Sequence, residues 1–148
     1  REIPPLRYDI VAAIKNDYPH LRIGLNGGIK SAEDTKKHLN IFDSVMIGRE
    51  TYQNPYSLAD IERQIYAHKE IKSREEVAYA MIPYIEKQQK DYGTPVKSIT
   101  RHMIGLYHQI SGAKHWRRYL SENAHLEDMS AEELIENAIP ASDLSHAA

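Results

Sequence analysis

The 148 residues contain no cysteine. Disulfide staples, zinc–thiolate sites and thiol nucleophiles are therefore excluded within the chain, and a reducing, cytoplasmic setting is expected. No apolar run approaches the roughly 20 residues that a membrane helix needs, so no membrane partner is expected. No signal-peptide pattern opens the chain either. The sequence starts Arg1-Glu2-Ile3-Pro4-Pro5 without an initiator Met, which reads as a piece of something longer. His20, His38 and His68 lack metal-ligand spacing, so no metal site is expected. Asp60 and Glu62 read as solvated helix residues rather than an acid–base pair. No nucleophile stands beside a base, and no catalytic residue is assigned.

What is present is ordinary in amount and uneven in placement. Apolar residues make up 41% and charged residues 27%, and the net charge is -2. That composition belongs to a folded chain of one domain, or at most two small ones, rather than to a disordered one. From Tyr92 to Ser121 there is no Asp or Glu, while Lys97, Arg101, Lys114, Arg117 and Arg118 are interleaved with His102, His108 and His115. After Arg118 the sign reverses, and Glu122, Glu127, Asp128, Glu132, Glu133, Glu136 and Asp143 have no basic neighbour in prospect. A basic block beside an acidic tail suggests contact with a polyanion and a solvated terminus. An ordinary helical face balanced by acids from elsewhere in the fold gives the same pattern.

Periodicity and turn residues divide the chain near residues 65–72. Pro4-Pro5 followed by Leu6, Ile10, Val11 and Ile14 predicts a helix with proline in its first turn, ending near Asn16-Asp17. Leu21–Leu25 predicts a strand stopped by Asn26-Gly27-Gly28. Ser31 with Asp34 resembles a capping box opening a helix to about Leu39. Ser44–Ile47 is a short apolar run of the kind found in buried parallel strands. Asn54-Pro55 opens a further helix. Helices alternating with short strands imply a parallel α/β sheet. Two strands alone do not make a stable sheet, so these read as the end of a larger sheet or barrel. Beyond residue 66 only helices are predicted: Ser73 to about Asp91, with Val77, Ala80, Met81 and Ile85 inward; Val96–Ile110; Ala113–Asn123; and a short one after Ser130. Pro140 and the residues after it read as frayed. The expected architecture is an α/β segment at 1–65 and a helical bundle at 66–148.

Two loops carry the site signal. Asn26-Gly27-Gly28 follows one strand and Gly48-Arg49 follows the next. Glycines let backbone N–H groups approach an anion, and a helix start adds a favourable dipole. Arg49 offers a planar fork of donors to a phosphate, or alternatively pairs with Glu50 or Asp43. At the carboxyl ends of consecutive strands, the two loops together match the phosphate site that the last two loops of a (β/α)₈ barrel build. Trp116 and Tyr119, beside Arg117-Arg118, either stack on bases or pack inside the bundle.

Longer stretches carry a resemblance. Arg1-Glu2-Ile3-Pro4-Pro5-Leu6, Asn26-Gly27-Gly28-Ile29, Met46-Ile47-Gly48-Arg49-Glu50 and Tyr52-Gln53-Asn54-Pro55 are similar to the closing third of the barrel of flavin-dependent tRNA-dihydrouridine synthases. Ile99-Thr100-Arg101-His102-Met103-Ile104-Gly105-Leu106 and Trp116-Arg117-Arg118-Tyr119-Leu120-Ser121-Glu122-Asn123-Ala124 resemble the A branch of that family. The likeness runs over residues 1–126. It implies the last two βα units of an FMN-binding TIM (β/α)₈ barrel, followed by a helical tRNA-binding domain. It also implies a reaction in which D-loop uridine becomes 5,6-dihydrouridine at the expense of NADPH. Asn26, Gly27 and Gly28 would contact FMN, and Gly48 and Arg49 its phosphate. Arg1, Lys114 and Arg117 would contact tRNA, with Arg101 and Arg118 of the same basic stretch beside them.

Some features depart from the family pattern. Gln109-Ile110-Ser111-Gly112-Ala113-Lys114 stands where Gly-x-Pro-Gly-Ala-Arg is frequent, so a lysine replaces a bidentate arginine. Thr51 stands where alanine is usual. The family's proton-donating cysteine is missing, so the expectation is an inactive C-terminal fragment of an otherwise monomeric enzyme. Such a piece risks dimerisation through exposed strand edges. Two other readings share some of these features: a phosphate-binding barrel enzyme acting on a small metabolite, and a non-enzymatic RNA-binding module.

Overall fold

The computed structural model describes residues 5–126 and 128–141. They divide into two compact units. One runs up to Thr51 and resumes at Ser57–Lys69, and the other takes Tyr52–Tyr56 and the residues from Glu70 onward. Among the described residues no helix is long and apolar enough to cross a membrane.

The first unit contains α1 (Tyr8–Asp17), β1 (Gly24–Asn26), α2 (Ala32–Leu39), β2 (Ser44–Met46) and α4 (Ser57–Gln64); α3 (Arg49–Gln53) begins in it and ends in the second. β1 and β2 pair in parallel, with Gly24 opposite Ser44, Leu25 opposite Val45 and Asn26 opposite Met46. Leu25, Ile29 and Phe42 form the core, with Val11, Ile23, Val45 and Ile47 packed on it.

Several expected boundaries move. α1 starts at Tyr8, after the prolines, and Arg7 grips Asp9 with two hydrogen bonds of 3.0 and 2.7 Å at its entry. The first strand is shorter than expected: the Leu21 N–H turns back to the Tyr18 carbonyl, the Ile23 carbonyl takes a main-chain bond from the Asp43 N–H at 3.1 Å, and side chains hold the rest of this segment. Lys15 Nζ donates to the Leu21 carbonyl at 2.8 Å, and the Ile23 N–H donates to the Asp43 carboxylate at 2.8 Å. β2 is parallel as expected but not buried throughout. Strand side chains alternate, and only Val45 turns to the core while Ser44 and Met46 are exposed. Asn54-Pro55 separates two helices, since the residue before proline disfavours helical backbone. Ser31 caps α2 by accepting the Asp34 N–H at 3.0 Å; no return bond from the short Asp34 side chain is seen.

The second unit is helical: α5 (Arg74–Ala80), α6 (Ile82–Tyr92), α7 (Val96–Thr100), a 3₁₀ turn (Ile104–Tyr107), α8 (Ala113–Asn123) and α9 (Ala131–Ala138). Complete capping boxes start α5, from Ser73 and Glu76, and α9, from Ser130 and Glu133. Trp116, Tyr107, Ile85, Leu120 and Ile135 are the large, fully buried side chains of its core.

The single helix expected over Ser73–Asp91 is two. Pro83 has no N–H to give the Tyr79 carbonyl, and the chain tightens at Met81, whose N–H bonds Ala78. Val77, Met81 and Ile85 face the core as expected, but the inward alanine is Ala78, and Ala80 is exposed. The helix expected over Val96–Ile110 ends at Thr100, and bonds three residues apart (His102 to Ile99, Met103 to Thr100, Leu106 to Met103) replace it. Tertiary contacts hold this tighter path: Trp116 Nε1 donates to the Met103 carbonyl and Arg74 Nε to the Leu106 carbonyl, each at 3.0 Å. Pro140 is buried rather than frayed, lying against Gly112, where an added Cβ would come within 2.3 Å of it. The expectation for the tail beyond residue 141 lies outside the described residues.

Candidate cofactor loops and nucleic-acid interface

Because β1 and β2 are parallel neighbours in register, the segments that leave them emerge side by side at one edge. Gly27 and Gly28 leave β1 with φ of 132° and 67°, a backbone that favours glycine. Side chains from the start of the chain lie directly on this turn. The Tyr8 hydroxyl donates to the Gly27 carbonyl, and a Cβ on Gly27 or Gly28 would stand 2.8 Å from Leu6. After β2, Gly48 is exposed and Arg49 begins α3 at once, where a loop was expected. The Thr51 hydroxyl lies 2.8 Å from the Gly48 carbonyl and 3.0 Å from that of Ile47, sharing its one proton between them and tying this turn to its helix. Thr51 thus has a structural task at this turn. Asp43, one of the two acids considered as a partner for Arg49, is taken by Lys15 at 2.7 Å. Arg49 itself is exposed. Adjacent glycine turns at the carboxyl ends of parallel strands, with an exposed guanidinium beside one of them, fit the phosphate end of a nucleotide cofactor.

In the helical unit, α8 turns Ala113, Trp116 and Leu120 inward and leaves Lys114, Arg117 and Arg118 exposed. Trp116 is fully buried, so of the two roles open to it the packing role is the one realised. Lys114 and Arg117 are one helical turn apart on the outer side. Arg118 is engaged by Glu122 at 2.9 Å, so that acid does have a basic partner. Arg101 is exposed too, and its Nε donates to His102 Nε2 at 3.1 Å. The segment before Pro55 meets this surface: Gly105 packs so tightly on the Gln53 carbonyl that an added Cβ would lie 2.2 Å from it, and Tyr52 Oη is 2.9 Å from His102 Nδ1. Tyr56 is held as well, donating to the Lys72 carbonyl at 2.9 Å beneath the Arg74 guanidinium. The expected contact at Arg1 lies outside the described residues.

A model of the dihydrouridine synthase family matches residues 1–142. The chain belongs to the dihydrouridine synthase family. Over 126 residues, 84% of its length, it is 52% identical to the tRNA-dihydrouridine(20/20a) synthase of Vibrio cholerae. Over the same length it is 54% identical to the synthase of that name from Shewanella oneidensis and 52% identical to that of Escherichia coli K12. The aligned part is 38%, 37% and 36% of those three relatives, so the chain spans a little over a third of their length. Dihydrouridine synthases are flavin-dependent oxidoreductases with a TIM barrel, and two parallel strands with a helix after each are consistent with part of one.

Electrostatics mark two further places. The Lys15 ammonium, then the Ile23 N–H, hold the Asp43 carboxyl below the usual carboxylate range. Burial, then the charges of Glu136, Glu75 and Glu132, push the Tyr79 phenol up. Neither lies among the residues expected to bind ligand. Leu6, Tyr8, Thr51 and Tyr52 were not singled out as site residues by sequence reasoning. Their partners are remote in the chain, or, for Thr51, are main-chain carbonyls that composition does not reveal.

Proposed function

We propose that the chain contributes the last two βα units of the FMN barrel (residues 1–65) and the helical tRNA-binding domain (residues 66–148) of an A-branch tRNA-dihydrouridine synthase. The observation that carries this reading is the pair of glycine turns side by side at the carboxyl edge of β1 and β2, in a chain of this family. Asn26, Gly27 and Gly28 bring main-chain groups up to the cofactor, and Gly48 and Arg49 take its phosphate. When bound, FMN supplies the reducing chemistry for the 5,6 double bond of a D-loop uridine, and NADPH replenishes it. The chain's own part is to hold and orient. Tyr8 and Thr51 fix the two turns through the Gly27, Ile47 and Gly48 carbonyls. Lys114 and Arg117 hold tRNA phosphates from the outer side of α8, with Arg101 beside them and Arg1 as a further contact. Arg118, already paired with Glu122, is the weakest of the five cations for this task. With no cysteine, the chain has no thiol to protonate the reduced base and performs no reduction alone.

The visible absorption spectrum of the complete gene product tests this reading. A bound-flavin spectrum is expected, and its loss on Gly28→Val and Arg49→Ala would assign the two turns. A protein that stays colourless after incubation with FMN overturns the flavin assignment and favours a phosphate-binding barrel for a small metabolite.

A further inference from the structure

Within the helical unit a cavity of about 380 Å³ is walled by Tyr52, Gln53, Arg101, His102, His108 and Arg117. Its hydrogen-bond polarity follows from one contact. An arginine has donors and no acceptor, so the bond from Arg101 Nε to His102 Nε2 requires a lone pair on Nε2. The ring proton is then on Nδ1. Nδ1 is 2.9 Å from Tyr52 Oη, so the imidazole donates and the tyrosine oxygen accepts. The Tyr52 hydroxyl proton, facing a donor at that side, is left for something else. Tyr52 is 63% exposed, so its hydroxyl stands where a ligand can reach it. The lining thus offers a hydroxyl donor and two guanidinium groups, with no carboxylate among its residues.

A site of donors and positive charge suits an anionic, acceptor-only group. Arg117 is one turn from the exposed Lys114 on α8, so positive charge continues along the helix, as an extended polyanion requires and a lone small anion does not. We propose that this cavity holds a backbone phosphodiester of bound tRNA. Arg101 and Arg117 supply the charge, Tyr52 donates through its hydroxyl, and His102 is the positioning residue that sets the direction of the Tyr52 donor. The Gly105–Gln53 contact holds Tyr52 against His102. This inference rests on the reading of the chain as tRNA-binding.

The test is tRNA affinity of the 148-residue chain, read by fluorescence polarisation, with far-UV circular dichroism as a check on folding. Tyr52→Phe deletes only the hydroxyl and is expected to weaken binding about tenfold, as for one hydrogen bond to a charged group. His102→Leu should lose a similar factor, and His102→Gln, which keeps an acceptor and a donor, should recover most of it. Because His102 acts through Tyr52, the double variant Tyr52→Phe/His102→Leu should bind no worse than either single one. Wild-type affinity in Tyr52→Phe, with the unsubstituted chain binding tRNA, overturns this inference and leaves the tRNA-binding reading intact. Multiplying losses in the double variant overturn the role of His102. Competition by inorganic phosphate as effective, per phosphate, as by tRNA would make this a free-anion site and overturn the proposal. An unsubstituted chain with no tRNA affinity overturns the tRNA-binding reading and this inference together.

Discussion

Replacing Trp116 by Phe separates the two things this side chain does. Its ring is fully buried against Tyr107, centroid to centroid 4.9 Å, and its Nε1–H donates to the Met103 carbonyl at 3.0 Å. Phe keeps an aromatic body and drops the donor and part of the ring. The Met103 carbonyl is not orphaned, because it also accepts the Leu106 N–H at 2.9 Å. The lost bond therefore costs its net value, about 1 kcal/mol, rather than a full desolvation penalty. The smaller ring forfeits about 1–2 kcal/mol more in burial and packing. A total of about 2–3 kcal/mol is a large share of the roughly 5–15 kcal/mol typical of a folded domain. Urea unfolding followed by far-UV circular dichroism measures it; tryptophan fluorescence cannot serve, since Trp116 is the sole tryptophan. A loss below about 0.5 kcal/mol would refute the claim that this residue ties α8 to the turn carrying Met103. Because α8 presents Lys114 and Arg117 outward, the same substitution should also loosen the basic face.

Three further outcomes follow from particular contacts. The Asp43 carboxyl is held low by Lys15 and the Ile23 N–H, so it stabilises the fold above the ordinary carboxylate range near 4 and loses that contribution as pH falls through its lowered value. Thermal melts in acid should therefore show a shallower decline for Asp43→Asn than for the unsubstituted chain, and equal declines would contradict it. Gly105→Ala places a methyl against the Gln53 carbonyl and should cost about 1–3 kcal/mol in a urea titration. Tyr79, with its phenol raised by burial and three glutamates, favours the fold below its ordinary value near 10. That contribution is lost as pH climbs through its raised value, which phenolate absorbance compared with Tyr79→Phe would show.

Local chemistry was legible in the sequence where a signal and its target are three or four residues apart. The helix starts at Ser73 and Ser130, each with a glutamate three residues on, are of this kind, and so are the glycines at Gly27-Gly28. Apolar spacing misled where the backbone itself interrupts it: the pattern over 73–91 continues through Pro83, and that over 96–110 continues through a turn set by Trp116, Arg74 and Gln53. The glycine turns of the candidate site were legible as turns after strands. Their support by Leu6 and Tyr8 was not, because some twenty residues separate those side chains from the turn they cover. Tyr52 and His102 are 50 residues apart, and only folding shows that they meet.

The most direct measurement is the salt dependence of tRNA affinity for the chain and for its Lys114→Glu/Arg117→Glu variant. If these two cations hold phosphates, the unsubstituted chain binds ever more weakly as salt rises, and the variant binds less tightly with a log–log slope shallower by about 1.5. Equal slopes in the two proteins would mean that neither side chain touches the RNA backbone, and the account of α8 as the tRNA-holding face would be wrong.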